Sequence, residues 1–595
     1  MTGHDLRAKY LVFWQKKGHI VVPSAPLVPE NDPSTLFTSS GMQPLINYFL
    51  GEKHPLGQRI CDSQKCFRSQ DIEEVGDNRH STFFEMLGNW SFGDYFKKEQ
   101  LTWFWEFLVQ ELNFDPNKLY VTVYEGNQNL NISKDNEALE IWSKLFKEAG
   151  IDSKAHIFFY GDEKNWWSRS GEPSKMPVGE PGGPDSEVFY DFGGENCHPN
   201  CDCGRFLEIG NSVFMQYQKT ADSFIDLPQK NIDFGGGLER ILAALADNPD
   251  IFATDLFWPI ITQLEKITQQ KYSANQKAFR IIADHVKAAT FLAADGVYPG
   301  SKEQAYFSRR LLRRAIRYGK ELGLETNFLS QLVPIVAKIY GQSYPELNSQ
   351  IDKIKSIFDI EENKFQQAID KGLKALEKLD KLTAEAAFAI YETHGFPLEL
   401  LVEEAGQKKI ALEDNLTQKF QTLRQTHASQ SKTASAGMFK GGLADQGEIT
   451  TKYHTATHLL QAALRKILGP TVQQKGSNIT AERLRFDFSF KRALTEAEKK
   501  ELAETINGWI TTALPVHKDL MSKEEALNNS QILSFFAHKY PEQVSVYSIG
   551  EKDNYISREL CGGPHVSNTS EIGQIKLSKE KSVAAGVRRI YLELS

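Results

Sequence analysis

The chain has 595 residues, 41% hydrophobic and 25% charged, a balance that suits a folded protein of three or four domains and excludes a disorder-dominated one. Its net charge of -8 means that any nucleic-acid partner has to be met by local basic faces rather than by the chain as a whole. Six cysteines, at 61, 66, 197, 201, 203 and 561, are too few and too uneven for a disulfide framework, and favour a reducing compartment with metal-bound or buried thiols.

The amphipathic N-terminus, MTGHDLRAKYLVFWQKKGHI, lacks the uninterrupted apolar core of a signal peptide. No later stretch reaches the roughly 18 apolar residues of a membrane span, so a cytoplasmic protein with no membrane partner is expected. Residues 1 to about 245 alternate short helices with strand candidates such as LYVTVYEG (119–126) and EVFYDFG (187–193), which predicts an α+β domain on an antiparallel sheet. Within it, SQKCFRSQDIEEVGDNRHSTFFEMLGNWSFGDYF (63–96) reads as two strands joined by a polar, acidic loop suited to cover a ligand.

The stretch from Gly161 to Pro184 is rich in glycine and proline, too polar and broken for core, and is expected to be a functional loop. CHPNCDCGRF then crowds Cys197, His198, Cys201 and Cys203 together; a small zinc knot and a reduced, unmetallated loop fit that spacing about equally, and no metal is assigned there. In IDFGGGLER (232–240) three glycines let the backbone pass close beneath a flat or phosphorylated molecule before Leu238, Glu239 and Arg240 open a helix. Arg68 and Arg240 thus come from the two segments best suited to wall one pocket. The planar fork of Arg68 can grip a phosphate and an attacking carboxylate together. Phe84 or Phe83 offers a ring face to an adenine, with Arg240 covering the other side or reaching the terminal phosphate.

From about 246 to 430 the apolar residues recur at helical spacing, as in RIIADHVKAATFLAADGV and IEENKFQQAIDKGLKALEKL. FSRRLLRRAIRYG sets Arg309, Arg310, Arg313, Arg314 and Arg317 within nine residues, which predicts a basic helix face for a phosphate backbone. The small, polar stretch within 427–448 reads as a linker, assigned to 431–448. In the α+β segment 449–595, YHTATHLL places His454 and His458 four apart on a helix, and CGGPHV places Cys561 and His565 four apart on a turn. Together they are the ligand inventory of one tetrahedral zinc site, without the HExxH glutamate of a zinc protease.

These motifs resemble those of the alanyl-tRNA synthetase family. Ser24 to Gly51 resembles its first motif, 63–96 its second, and IDFGGGLER the third motif of class II synthetases, and the similarity runs almost to the C-terminus. The resemblance implies a multidomain α+β protein: a class II antiparallel sheet flanked by helices in 1–245, a helical tRNA-recognition domain in 246–430, and an α+β editing domain in 449–595. It implies ATP-dependent activation of L-alanine, transfer to the 3′ end of alanine tRNA, and recognition chiefly of the acceptor stem. Arg68, Asp71 and Arg240 would be catalytic, and Glu208 would help hold the Mg²⁺ that comes with ATP. A small amino acid needs a carboxylate for its ammonium, a polar contact for its carboxylate and tight walls; by the resemblance Asp233, Asn211, Val213, Trp167 and Gly235 supply these.

The same resemblance makes His454, His458, Cys561 and His565 the ligands of one Zn²⁺ in an editing site, with Gln474 and Arg485 in its pocket. Such a site would hydrolyse seryl- and glycyl-tRNA, because an alanine pocket excludes a smaller residue by only about 1–3 kcal/mol. The chain departs from the family pattern at several points. Ser301 stands where an asparagine is expected and Glu399 where an aspartate is expected, so dependence on the acceptor-stem G·U pair is expected to be relaxed or rebuilt. Pro564 replaces a threonine and Phe490 a histidine near the editing site. A small β-barrel near the linker and a C-terminal coiled-coil module have no counterpart, from which a monomer is expected.

Overall fold

Nine strands in the first 237 residues build one sheet, and their register positions the site. They are β1 (Ile20–Val21), β2 (Arg59–Phe67), β3 (Phe83–Phe92), β4 (Leu119–Tyr124), β5 (Ile157–Tyr160), β6 (Trp166–Ser168), β7 (Pro181–Asp191), β8 (Phe206–Lys219) and β9 (Phe224–Gly237). The computed structural model describes residues 1–29, 35–195, 197–325, 327–436, 447–490, 492–529, 531–533, 542–552, 554–584 and 587–594. The spatial order is β1-β2-β3-β9-β8-β7-β4-β5, with β6 pairing β7 off the path. Pairing is antiparallel except at the edges, where β1 runs parallel to β2 and β5 parallel to β4. The chain folds as two compact units, Met1–Leu382 with Ala389–Leu412, and Thr383–Phe388 with Glu413–Ser595.

In the first unit β3 is held from beneath by a buried carboxylate. Glu85, fully buried, accepts from Arg7 of helix α1 (Gly3–Lys16) at 2.8 and 2.5 Å, from Ser63 at 3.1 Å and from Tyr344 at 2.7 Å. A buried charge is tolerated when paired and fully hydrogen-bonded, as here. After β9 the chain enters α2 (Leu238–Leu245) and then the helices α3 (Gln276–Ala294), α4 (Glu303–Glu321), α5 (Leu329–Tyr340) and α6 (Glu346–Leu376). α3 docks on β3 through Asp284, which accepts from the Thr82 amide and hydroxyl at 2.8 and 2.6 Å.

Phe83 belongs to that joint and not to a nucleotide site. Its buried ring stacks on Phe291 at 3.9 Å and meets Tyr340 edge-on. Alternation along β3 puts Phe83 with Glu85 on the helix-covered face and Phe84 on the other.

The basic helix α4 is also different from its expectation. Arg310, Arg313 and Arg314 are only 7%, 4% and 5% exposed, and each faces carboxylates rather than solvent. Arg313 pairs with Glu361 of α6 at 2.5 Å and donates to the Gly395 carbonyl. Arg314 grips Glu403 with two bonds of 3.0 Å and also donates to the Ile72 carbonyl at 2.7 Å and meets His285 at 3.0 Å. Arg310 pairs with Glu73, Arg317 with Glu404 and with Glu321 at 3.2 Å, and Arg309 lies 3.4 Å from Glu361. The expected solvated face for phosphates is an internal ion-pair lattice, because α4 is packed between α3, α6 and residues 395–407. The lattice ties the helices to the loop after β2.

Two loop expectations also change. The stretch 161–184 carries a helical turn (Asp162–Asn165) and β6, whose Trp166–Ser168 pair with Gly182–Pro184 of β7. Gly183 is required there, since a Cβ would come within 1.9 Å of the Phe214 carbonyl oxygen. A helix, Leu416–Ala436, runs into the assigned linker; residues 437–446 of that linker lie outside the described residues.

The second unit packs α7 (Glu448–Leu468) and α8 (Glu496–Thr511) with two small antiparallel sheets. Its strands are β10 (Gln474–Ile479), β11 (Leu484–Ser489), β12 (Val516–Ser522), β13 (Gln543–Glu551), β14 (Asn554–Leu560), β15 (Ile575–Ala584) and β16 (Val587–Leu594). The first sheet has the order β10-β11-β16-β15 and the second β12-β13-β14. Leu459, Leu460, Phe486, Phe488, Ile506 and Ile590 form the core, and Phe490 packs against its edge. Among the described residues no helix is long and apolar enough to cross a membrane.

The lattice makes a prediction about stability. Arg314→Met removes a buried guanidinium from half-buried Glu403, which keeps only Tyr318 and, at 3.9 Å, Lys277, and should cost about 3 kcal/mol, whereas Lys320→Met, at the exposed pair with Asp370, should cost less than about 1 kcal/mol. Urea unfolding followed by tryptophan fluorescence would compare the two.

Candidate active site

Side chains directly opposite one another in an antiparallel sheet share a face, so the pairings β3–β9, β9–β8 and β8–β7 lay out the site in rows. One row runs Trp90, Asp233, Val213, Asp185. The next runs Gly88, Gly235, Asn211, Glu187. Beyond them on the same face lie Met86 and Gly237, paired with each other. The glycines leave a backbone floor, and the rows give it an acidic end at Asp233 and Asp185.

Asp233 is 7% exposed and accepts from the Trp90 indole N–H at 2.7 Å. Burial pushes its carboxyl up to about 7, against the indole donor, which favours the charged form. Val213 and Trp90 sit in one apolar cluster with Met42, and Trp167 of β6 packs against it, half-buried. Asn211 donates to Asp185 at 3.3 Å, and Asn165 holds the other Asp185 oxygen at 2.9 Å. Burial raises Asp185 despite these donors. Sequence alone does not single out Trp90 and Asp185; their parity with Gly88 and Glu187 along β3 and β7 is the available signal.

At the other end of the floor a cleft is lined by Arg68, Asp71, Arg79, His80, Phe84, Met86, Glu208, Gly235, Gly237 and Arg240. Arg68 lies with its guanidinium carbon 4.8 Å from the Phe84 ring centroid, and its Nε donates to the Ser39 carbonyl at 3.2 Å. Arg240 pairs with Glu208 at 2.9 Å. Burial raises the Asp71 carboxyl, with Arg68 opposing. Gly235, two residues along β9 from Asp233 and on the same face, joins the cleft to the acidic end.

Of the other candidates, Ser301 is exposed in the turn that precedes α4, and Glu399 accepts from the Tyr306 hydroxyl at 2.7 Å with Arg310 3.9 Å away. In the second unit His454, His458, Cys561 and His565 bring one ligand atom each within 4.8 Å of one another. Cys561 Sγ stands 3.3 Å from His454 Nε2 and 3.5 Å from His565 Nε2. The remaining ring nitrogens are held from behind: His454 Nδ1 at 2.8 Å from the Pro564 carbonyl, His565 Nδ1 at 3.2 Å from Thr455 Oγ1, and His458 Nδ1 at 3.1 Å from a Glu559 oxygen. Pro564 contributes through its backbone oxygen, so its side chain does not alter that contact. Gln474 on β10 donates to Ser477 at 3.1 Å and Arg485 is half-buried on β11; no described hydrogen bond joins either to the four ligands.

The family described as tRNA synthetases class II (A) matches residues 5–480, which include the sheet, the cleft and the helices around α4. The protein named Alanine–tRNA ligase of Treponema pallidum (strain Nichols) is 42% identical over 611 residues, covering 99% of this chain and 98% of its own length. The chain belongs to the alanine–tRNA ligase family. The proteins of that name from Treponema denticola and Thermotoga maritima are 44% and 35% identical, each over 99% of this chain, and over 98% and 80% of their own lengths. The family described as threonyl and alanyl tRNA synthetase second additional domain matches residues 544–591, which hold Cys561 and His565.

The electrostatics of the acidic end can be tested directly. Asp233 should titrate near pH 7, and Trp90→Phe, by removing the donor that favours the carboxylate, should raise its pKa further. pH-difference infrared spectra of the carboxyl band, with Asp233→Asn as blank, would read both.

Proposed function

We propose that the chain activates L-alanine with ATP and Mg²⁺ to alanyl-adenylate, passes the alanyl group to the 3′ end of alanine tRNA, and edits mischarged tRNA in its second unit. The observation that carries the first part is the single sheet face shared by Asp233 and the arginine-lined cleft, with Gly235 between them. The Asp233 carboxylate faces the ammonium of a small amino acid, Asn211 meets its carboxylate, and Val213, Trp90 and Trp167 leave little room beyond a methyl group. The amino acid's carboxylate then points toward the cleft. Arg68 neutralises the α-phosphate as that carboxylate attacks in line and pyrophosphate leaves. Arg240 would meet the outer phosphates, and Glu208, its partner at 2.9 Å, would hold the Mg²⁺ that comes with ATP and neutralises the phosphates. No protein nucleophile is needed, since positioning and charge neutralisation account for the step. The tRNA hydroxyl attacks the acyl carbon of the adenylate, and AMP departs.

The donor set in the second unit fits zinc. One thiol and three imidazoles converge; His454 and His565 have their Nδ1 hydrogen-bonded to a neighbouring oxygen, an arrangement that directs Nε2 toward a metal, and a Glu559 carboxylate oxygen stands 3.1 Å from His458 Nδ1. Zinc bound there would act as a Lewis acid or hold the tRNA terminus. Thr455 and Glu559 fix the rings of His565 and His458 whichever of these roles it has.

Arg68→Ala should lower kcat/KM for alanine-dependent ATP–pyrophosphate exchange by about 10²–10³. Near-normal exchange would sink the assignment of Arg68. Cys561→Ser should lose zinc and the hydrolysis of Ser-tRNA while leaving exchange intact; a variant that keeps full deacylation speaks against an editing site there.

A further inference from the structure

The connection between β7 and β8 holds a second group of converging ligands. Cys197, Cys201 and Cys203 bring their sulfurs within 4.8 Å of one another, and the Cys197 and Cys203 sulfurs stand 3.1 Å apart. The other thiols of the first unit, Cys61 and Cys66, are buried, as uncommitted cysteines usually are. These three are half-buried or exposed on a loop, so apolar packing does not account for their crowding.

The loop is built to hold them there. Its ends are closed by the Phe192 amide on the Arg205 carbonyl at 2.9 Å, and Arg205 grips Asp191 at 2.8 and 2.6 Å and the Glu195 carbonyl at 2.9 Å. Gly204, at φ 86°, supplies the left-handed turn that returns the chain to β8 directly after Cys203. The Cys201 amide donates to the His198 carbonyl at 3.0 Å, turning Cys201 back toward Cys197, and the His198 ring is occupied by the Tyr160 hydroxyl at 3.1 Å.

We infer that Cys197, Cys201 and Cys203 form a binding site for a thiophilic d¹⁰ cation, Zn²⁺, through three thiolates, with water in the fourth position. Zinc–sulfur bonds of about 2.3 Å place the sulfurs of a tetrahedral site about 3.8 Å apart, within an ångström of the spacing seen here. Binding releases the three thiol protons to solvent and changes no oxidation state. The site bears on the nucleotide cleft. The Asp202 carbonyl, between two of the ligands, accepts from Arg79 Nη2 at 3.0 Å, and Arg79 lines the cleft beside Arg68. A fixed metal loop therefore fixes where Arg79 points.

Metal analysis of the full chain after dialysis into zinc-free buffer tests this, with zinc alone as probe. The triple variant Cys197→Ser, Cys201→Ser, Cys203→Ser should lose about one equivalent of zinc, and Cys561→Ser should lose a separate equivalent. Equal zinc in the triple variant and its parent overturns the site. Should the triple variant misfold, iodoacetamide mapping of the unaltered chain decides: the three cysteines should resist alkylation until a chelator is added. Immediate alkylation, or a Cys197–Cys203 disulfide in the non-reduced peptide map, overturns it. Because the loop holds Arg79 at the cleft, the triple variant should also raise KM for ATP; that rise rests on the proposed synthetase chemistry, whereas the zinc count does not, so the two fail separately.

Discussion

The register between β3 and β9 is the constraint on which the rest of the site depends. Opposing Trp90 with Asp233 and Gly88 with Gly235 places a carboxylate, its indole donor and a bare backbone floor on one face. A one-residue slip of β3 would send Trp90 and Met86 to the helix-covered face and bring Phe83 and Glu85 into the cleft, and a one-residue slip of β9 would exchange Asp233 for Phe234 in the same way. What prevents the slip lies beneath the sheet. Glu85 is bonded from three sides, and Phe83 is fixed against Phe291.

The helices contribute more than a platform. Arg310 and Arg314 of α4 reach Glu73 and the Ile72 carbonyl in the loop after β2, the loop that begins with Arg68. Asp284 and His285 of α3 sit in the same polar network, touching Thr82 and Arg314. A movement of α4 is thus a movement of the residues that flank the cleft. Buried charged pairs suit such a joint because their geometry is specific and they are costly to separate.

Much of this was legible in the sequence where the signal was local. The glycine run before Arg240, the Arg68 loop and the spacing of His454, His458, Cys561 and His565 each lie within a few residues, and the structure puts them on a strand end, a hairpin and a helix facing a turn. The choice between Phe83 and Phe84 was also available, since Phe84 has the parity of Met86 and Gly88. The arginines of α4 misled because their carboxylates, Glu361, Glu399, Glu403 and Glu404, lie 48 to 89 residues further along from the arginines they face, and a run of like charge carries no mark of distant partners. Gly161 to Pro184 misled similarly: polar residues and prolines conceal a strand whose partner, Gly182 to Pro184, lies inside the same stretch.

The glycine floor limits how the pocket can be remodelled. At Gly41 and Gly88 an added methyl carbon would collide with the Trp90 ring at 2.6 and 2.1 Å, and at Gly235 with the Met86 sulfur at 2.8 Å. Nothing can be trimmed from positions that already lack a side chain, so room for a bulkier substrate has to come from Val213, Met86 or Trp167. Engineering toward larger amino acids therefore begins with a short menu, and the choice of Val213 on it loosens the strand position directly opposite Asp233.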